Sequence, residues 1–292
     1  FCTIMDYFGM CLTGRKKPVV HVSNAAGFGF FDGRNMKFET EKLSKMGVKE
    51  TWLPEVCTGI EKLGLYRNRQ VTTAIGDNQA SFLGAAGKEE NTLLVNMGTG
   101  GQISILSDQY FAEKGIEARP FLDGKYLLVG SSLCGGKSYA LLEQFFRRVV
   151  KAVTGEDSSL YPVMEQFAKT GKEQSNRISE DRKLKIRTTF DGTRTDPKSS
   201  GSIQGLTSDN FTPEAFTYGI LEGMGDELYQ MYRTIKNGTG IQIKNLIGSG
   251  NGVRKNPVFC EMLEELFQNK LVLSAYKEEA AAGAAISSML CS

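Results

Sequence analysis

The chain has 292 residues, of which 40% are hydrophobic and 23% charged, a composition that is typical of a folded globular protein and excludes a disordered chain. Its 35 Lys and Arg against 33 Asp and Glu give a formal charge of +2, too small to indicate nucleic acid or an anionic membrane as the main partner. Six widely spaced cysteines without a CxxC pair predict reduced thiols and a cytoplasmic location, and no apolar run reaches the roughly 20 residues of a membrane span.

The chain contains one histidine, His21, so a catalytic triad or metal site built on histidine would rest on that residue alone. We therefore expect any catalysis to use carboxylates. The sequence opens with Phe1 rather than Met, in the middle of a pattern and without a preceding turn, which we interpret as a piece of a longer protein.

Residues 1–90 are predicted to form an irregular α/β segment, the end of a first domain, with a short helix near 41–47 and a β-type stretch at 71–75. Residues 91–292 show a more regular pattern. Strands predicted at 93–95 and 103–105 form a hairpin with a glycine-rich tip.

A third strand at 126–129 leads into an amphipathic helix. The charge-rich stretch from Lys169 to Arg187 is predicted to be a solvated loop. A long helix should run from Thr212, which can cap it, to about Lys236. The remainder alternates strand, glycine turn, helix, strand and helix, at 246–247, 248–252, 257–267, 271–273 and 278–290. This alternation predicts parallel strands joined by helical crossovers, with the small residues of the last helix packed on the sheet.

The first motif with chemical content is Gly76-Asp77-Asn78-Gln79, which follows the predicted strand at 71–75. Ligands of open α/β domains bind at the carboxyl ends of strands, so Asp77 is aimed at a cleft. Two interpretations stay open. Asp77 caps a helix that begins at Gln79, or it is a general base that takes a proton from an alcohol, as in phosphoryl transfer.

The predicted hairpin has the tip Gly98-Thr99-Gly100-Gly101. Without Cβ atoms its backbone N–H groups can approach an anion, and the Thr99 hydroxyl is a further donor, so the tip is a candidate phosphate cradle. It lacks the lysine and the following helix of the GxxxxGK[ST] loop. An ordinary hairpin turn is the alternative, because such turns favour glycine in any case.

Two more glycine turns precede helices. Gly135-Gly136 opens the amphipathic helix, where Lys137 either contacts phosphate or faces solvent. Gly248-Ser249-Gly250-Asn251-Gly252 would bring a nucleotide close to helix N-terminal amides. Asn256, directly before a proline, is either the cap of the next helix or a ligand contact.

Taken in order, these motifs resemble the FGGY family of carbohydrate kinases over essentially the whole chain. The matching segments also include Ser23-Asn24-Ala25-Ala26 and Asp191-Gly192-Thr193-Arg194. Within the family, residues 75–81 and 121–136 are most similar to the sedoheptulokinases.

The resemblance implies an α/β protein with the actin-like ATPase (ribonuclease H-like) fold. Residues 91–292 would be a complete C-terminal, nucleotide-binding domain, and residues 1–90 the C-terminal remnant of the N-terminal, sugar-binding domain. The family's first phosphate loop, an Asp-x-Gly-Thr hairpin, does not occur in the sequence. We therefore expect this fragment to be inactive on its own.

The resemblance also implies roles for individual residues. Asp77 matches the catalytic base and, with Asn78, a sugar contact. The implied nucleotide contacts are Gly98, Thr99, Gly100, Gly135, Gly136, Gly248, Gly250, Asn251 and Asn256. ATP and Mg²⁺ are the implied cofactors, and no side chain is assigned to the metal.

The activity implied in this way is the ATP-dependent phosphorylation of a primary hydroxyl of a ketose, with conversion of sedoheptulose to sedoheptulose 7-phosphate as the first choice. Another FGGY kinase acting on xylulose, gluconate or glycerol is an alternative, and so is a non-catalytic actin-like module that binds a sugar or nucleotide. The predicted partners are a small sugar and ATP, without nucleic acid or membrane, and a homodimer is left open.

Overall fold

The structure is a computed structural model and describes residues 1–291, apart from the side chain of Asp181. Its helices and strands are, in chain order, α1 (Ile4–Thr13), β1 (Val19–His21), α2 (Val22–Ala25), β2 (Phe31–Asp32), β3 (Lys37–Phe38), α3 (Thr40–Lys45), β4 (Glu55–Cys57), β5 (Lys62–Tyr66), β6 (Arg69–Thr72), α4 (Asp77–Ala86), β7 (Thr92–Met97), β8 (Gly101–Ser107), β9 (Ile116–Pro120), β10 (Tyr126–Ser132), α5 (Gly135–Thr154), α6 (Tyr161–Ser175), β11 (Lys185–Arg187), β12 (Ser202–Gln204), α7 (Pro213–Thr239), β13 (Asn245–Ser249), α8 (Asn251–Arg254), α9 (Pro257–Phe267), β14 (Leu271–Leu273) and α10 (Glu279–Met289).

A six-stranded mixed sheet organises the second part of the chain, with the strand order β14-β13-β7-β8-β10-β9. The predicted hairpin is β7–β8, and the predicted third strand, β10, pairs with β8. Within this sheet, the pairs β7–β13 and β13–β14 are parallel. The tight turn at 98–100 can join only antiparallel strands, so β7 and β8 are antiparallel, and the pairs β8–β10 and β10–β9 are antiparallel as well.

Helices cover both faces of the sheet because side chains alternate along each strand. Leu93 and Val95 of β7 join a core with buried residues of α7 and α9. Leu94, between them, joins a second core with Phe82 and Leu83 of α4. The burial of both faces explains why β7 reads as a continuous apolar run.

The solvated loop predicted for residues 169–187 is confirmed only in its middle, at 176–184, and is wrong at both ends. Helix α6 continues to Ser175, and β11 pairs with β12. The helix packs through small residues: Ala168 is buried, and a Cβ on Gly171 would lie 2.3 Å from the carbonyl oxygen of Glu214 in α7. Charged side chains flank these small residues, and the apolar pattern of the sequence therefore hides the helix.

The first ninety residues contain small paired strands and are joined to the sheet by a few specific contacts. The Tyr126 hydroxyl donates to the carbonyl oxygen of Arg34 at 2.8 Å, and the Arg34 guanidinium lies 4.9 Å from the centre of the Tyr110 ring. Helix α4 lies before residue 90 but packs against the sheet. The domain division at residue 90 stays a prediction. No helix within residues 1–291 is both long and apolar enough to cross a membrane.

Helices α4 and α10 cross at two glycines. A Cβ on Gly283 would lie 1.8 Å from the carbonyl oxygen of Ala80, and one on Gly84 would lie 2.1 Å from that of Glu279. The small residues of α10, predicted to pack on the sheet, therefore pack mainly on α4, because the glycines let the two backbones touch.

We expect Gly283→Ala to lower the free energy of unfolding by about 2–3 kcal/mol, because the added methyl forces the helices apart. Urea unfolding of the two proteins measures the difference. Gly59→Ala is the matched control, because its Cβ would meet nothing within 4 Å and it should change stability by less than about 0.5 kcal/mol. Equal stability of Gly283→Ala and the control would contradict the tight crossing.

Candidate active site

Asp77 is the first residue of α4, and the preceding Gly76 occupies the N-cap position in an extended conformation, with φ −61° and ψ 150°. The interpretation of Asp77 as the cap of a helix that begins at Gln79 is therefore wrong. The Asp77 side chain is exposed, and its Oδ1 accepts a hydrogen bond from the Asn78 amide at 2.7 Å. This carboxylate lies in the first helical turn, where the helix dipole favours negative charge.

The side chains of the next two residues, Asn78 and Gln79, differ in whether their hydrogen-bonding groups find partners. Gln79 is buried, and its Nε2 donates to the carbonyl oxygen of Pro120 at 2.9 Å. Oδ1 of Asn78 is enclosed and receives no hydrogen bond from residues 1–291. A buried acceptor without a donor is costly, so the Asn78 oxygen is an unmet hydrogen-bonding requirement next to Asp77.

Two of the three glycine turns predicted from the sequence, at 135–136 and 250–252, pack on the end of the β7–β8 hairpin, which carries the third; we call residues 98–100, 135–136 and 250–252 the glycine cluster. The Gly136 amide donates to the carbonyl oxygen of Gly98 at 3.1 Å, and the Lys137 amide donates to that of Thr99 at 3.0 Å. A Cβ on Gly250 would lie 2.5 Å from the carbonyl oxygen of Met97. The start of α5 and the turn after β13 thus both pack on the hairpin tip.

Packing accounts for most of these glycines but not for Gly98. A Cβ on Gly135 would lie 2.3 Å from the carbonyl carbon of Gly100, and Gly250 has a φ of +80°. A Cβ on Gly98 would meet nothing within 4 Å, and its φ is not in the left-handed region. Gly98 and Thr99 are exposed, so they form the open side of the cluster.

The remaining predicted nucleotide contacts lie in or near the glycine turn that follows β13. Asn256 is the N-cap of α9, because its Oδ1 accepts from the Phe259 amide at 3.1 Å. Gly248 is buried in β13, where a Cβ would lie 2.7 Å from Val253. Asn251 is exposed at the start of α8. The cap at Asn256 is confirmed, and contacts of these residues with a nucleotide stay predictions.

Lys137 faces solvent beside the cluster and pairs with Asp191 at 2.5 Å. This hydrogen-bonded pair holds the pKa of Lys137 above its usual value and the pKa of Asp191 below its own. Cys134, one turn earlier, is buried, and burial raises the pKa of its thiol. A raised pKa disfavours the thiolate that a nucleophile would need.

A buried hydrogen-bonded chain that the sequence did not predict leads to the start of α4. His21 lies 3.1 Å through Nε2 from the carbonyl oxygen of Thr58 and 2.7 Å through Nδ1 from the Ser23 hydroxyl. The Gly76 amide donates to the Ser23 hydroxyl at 3.0 Å. Ser23 belongs to a segment that resembles the family, but the partner residues are too distant in sequence for spacing to reveal them.

A cavity of about 820 Å³ lies elsewhere, between α7 and the β11–β12 pair. Its lining includes Glu222, Asp226 and Lys183, but neither Asp77 nor any residue of the glycine cluster. Burial raises the pKa of Glu222 to about 7. Within residues 1–291, no group of three or more His, Cys, Asp or Glu side chains is placed to hold a metal ion.

A mixed sheet with helices on both faces, and glycine turns after β7 and β13, define an α/β domain of the actin-like ATPase class. The comparisons with known proteins agree. Residues 93–290 match the C-terminal domain of the FGGY family of carbohydrate kinases. Sedoheptulokinase of Mus musculus is 25% identical over 287 residues, which cover 91% of this chain and 57% of that protein.

Solved structures give the same fold. Ligand-bound xylulose kinase from Lactobacillus acidophilus matches with a TM-score of 0.79 at 20% identity, over 98% of this chain and 58% of that one. Plasmodium falciparum glycerol kinase with ADP matches with a TM-score of 0.76 at 20% identity, over 98% and 56%.

The chain belongs to the FGGY family of carbohydrate kinases. The resemblance stated from the sequence and the predicted fold class are both confirmed. The chain spans less than two thirds of the length of the relatives that it matches.

The buried position of His21 gives a prediction on pH. Burial lowers the pKa of His21 to about 4, although the Thr58 carbonyl and the Asp123 charge favour the protonated form. Between that value and 6.5 the unfolded chain binds a proton that the folded chain does not, so stability should fall as the pH falls through this range.

Relative to His21→Asn, we expect the wild-type free energy of unfolding to drop by about 3 kcal/mol between pH 7 and pH 4. Urea titrations of both proteins at several pH values measure the difference. Glu222 titrates in both proteins and cancels in the comparison. Parallel pH profiles would show that His21 is not held neutral by the fold.

Proposed function

We propose that the full-length protein that carries this chain transfers the γ-phosphoryl group of ATP to a primary hydroxyl of a sugar. The observation that supports this most directly is the glycine cluster, in which the chain leaves Gly98 and Thr99 open although packing does not require a glycine at position 98. A glycine without a structural reason, beside an exposed hydroxyl, fits a site where phosphate approaches the backbone.

In this proposal the glycine cluster holds ATP. Gly98, Thr99 and Gly100 would face the β- and γ-phosphates. Gly135 and Gly136 would mainly support the hairpin tip rather than donate to phosphate, because the Gly136 amide already donates to the Gly98 carbonyl oxygen. The turn from Gly248 through Gly250 and Asn251 to Asn256 would hold the adenosine. Mg²⁺, bound to the phosphates, would neutralise part of their charge.

Asp77 would accept the proton of the attacking hydroxyl, and Asn78 would contact a second sugar hydroxyl. The exposed carboxylate and the unsatisfied Asn78 oxygen support these roles. The chain turns back between α4 and β7 through residues 87–91, and Asp77 and Gly98 each lie at the far end of their element from this loop. We infer that they face one cleft.

We propose sedoheptulose as the acceptor, on the similarity to sedoheptulokinase and on the motifs at 75–81 and 121–136. A coupled ADP assay of the full-length protein on sedoheptulose, xylulose, gluconate and glycerol should give the highest kcat/KM with sedoheptulose. A higher kcat/KM with another sugar would contradict sedoheptulose as the acceptor but would still support the proposed kinase activity. ATP binding without phosphorylation of any sugar would favour the non-catalytic module.

Asp77→Asn is the test of the chemistry in the same assay. We expect kcat to fall by about 10²–10⁴-fold, because a general base contributes an effect of that size. The Kd for ATP should change by less than about twofold, because the proposed role of Asp77 concerns the acceptor and not ATP. A twofold change in affinity corresponds to less than the worth of one hydrogen bond. Near-normal turnover would remove Asp77 from the mechanism.

Gly98→Ala and Thr99→Val test the phosphate site. Thr99→Val removes a donor and should weaken ATP binding or lower kcat by about tenfold, the worth of one hydrogen bond to a charged group. Gly98→Ala keeps its amide but adds a methyl group where phosphate would approach the backbone, and we expect an effect of similar size. Thermal unfolding should show an unchanged Tm for Gly98→Ala, because its Cβ meets no protein atom within 4 Å. Gly59→Ala, which also adds a methyl in open space, should change neither property. Unchanged ATP affinity and rate in both variants would leave the tip as an ordinary turn.

A further inference from the structure

We propose that Ser23, held in place by His21, is a positioning residue for Asp77, a role that rests on the proposed function of Asp77 as general base. Both residues lie more than fifty positions before Asp77 in the chain. The buried hydrogen-bonded chain described above connects them to the turn from which α4 starts.

The hydrogen atoms in this chain can be assigned from the partners. The Thr58 carbonyl oxygen can only accept, so Nε2 of His21 donates to it at 3.1 Å. Nδ1 is then an acceptor, for the Ser23 amide at 3.2 Å and for the Ser23 hydroxyl at 2.7 Å. The hydroxyl oxygen keeps its lone pairs for the Gly76 amide. The hydrogen bonds therefore all point the same way: the Gly76 amide donates to the Ser23 hydroxyl, which donates to His21, which donates to the Thr58 carbonyl.

Burial keeps this arrangement fixed. His21 is fully buried, and its ring cannot exchange these partners for water. The neighbouring Asn24 donates through Nδ2 to the carbonyl oxygen of Ala74 at 3.0 Å. Two consecutive side chains of α2 thus hold the backbone on both sides of Ile75, just before the helix begins.

The carboxylate of Asp77 depends on this backbone for its direction. Within residues 1–291 it receives one hydrogen bond, from the amide of the adjacent Asn78, and it forms no ion pair. No distant side chain orients it. The position of Asp77 Oδ1 and Oδ2 therefore follows the position of residues 76–78, and Ser23 binds the first of these.

Loss of the Ser23 hydroxyl should displace the base without removing it. In the full-length protein, we expect Ser23→Ala to lower kcat by about 10- to 100-fold, the cost of a displacement of about 1 Å. The Kd for ATP should change by less than about twofold, a difference well under the worth of one hydrogen bond. Ser23→Thr, which keeps a hydroxyl, should restore kcat to within about threefold of wild type, a difference likewise smaller than one hydrogen bond.

Ser107→Ala is the matched control. Ser107 is buried, whereas Ser23 is half-buried, and the Ser107 hydroxyl donates to the Gln109 carbonyl and accepts from the Gln109 amide, both at 3.0 Å. It should lose similar stability and keep its kcat. Should Ser23→Ala not be recovered folded, Ser23→Cys, with similar volume and a weaker acceptor, carries the same expectation.

A double-mutant cycle separates positioning from general stability. If Ser23 acts through Asp77, Ser23→Ala should have no further effect on the residual rate of Asp77→Asn. Multiplicative effects of the two changes, or an unchanged kcat in Ser23→Ala, would overturn this proposal. Full activity of Asp77→Asn would instead overturn the proposed general base, so the two failures are distinguishable.

Discussion

Direct contact between backbones at the glycine cluster is the constraint on which the sheet and its loops depend. The carbonyl oxygens of Gly98 and Thr99 accept from the first turn of α5, and the turn after β13 packs on Met97. A side chain at Gly135 or Gly250 would separate these segments by the width of a methyl group. The end of β7, the start of α5 and the end of β13 are therefore in direct backbone contact, and under the proposed function this contact would hold the phosphate-binding surface in place.

Helix α4 is held in two ways. Its backbone contacts that of α10, and the Ser23 side chain binds the backbone at its N-terminus. Gly84 and Gly283 bring it against α10, which follows the last strand of the sheet. Ser23 binds its first turn from the opposite part of the chain. The exposed Asp77 thus stands on a helix that is fixed from two sides. Such support for a side chain that must stay accessible is what preorganised chemistry requires.

The sequence predicted the features that depend on neighbouring residues. The β7–β8 hairpin, the Thr212 and Asn256 caps and the parallel strand β14 follow from local spacing. The start of α4 does not, because the Gly76 amide finds its acceptor 53 residues away, and this contact leaves Asp77 free of a capping role. The second half of helix α6 was missed for a different reason: its buried residues after Met164 are Ala168 and Gly171, and such small residues carry little apolar signal.

Backbone contacts predominate in the glycine cluster, so selectivity between sugars has to come from side chains elsewhere in the site. Carbonyl and amide groups build the glycine cluster, so side chains around it can change while the proposed nucleotide surface is preserved. Discrimination between acceptor hydroxyls needs side-chain groups that are left unpaired when the wrong ligand binds. Asn78 has that property, because its enclosed Oδ1 lacks a donor within residues 1–291. Under the proposed function, discrimination between acceptors would therefore begin at Asn78, one residue from the proposed base and on the same helical turn.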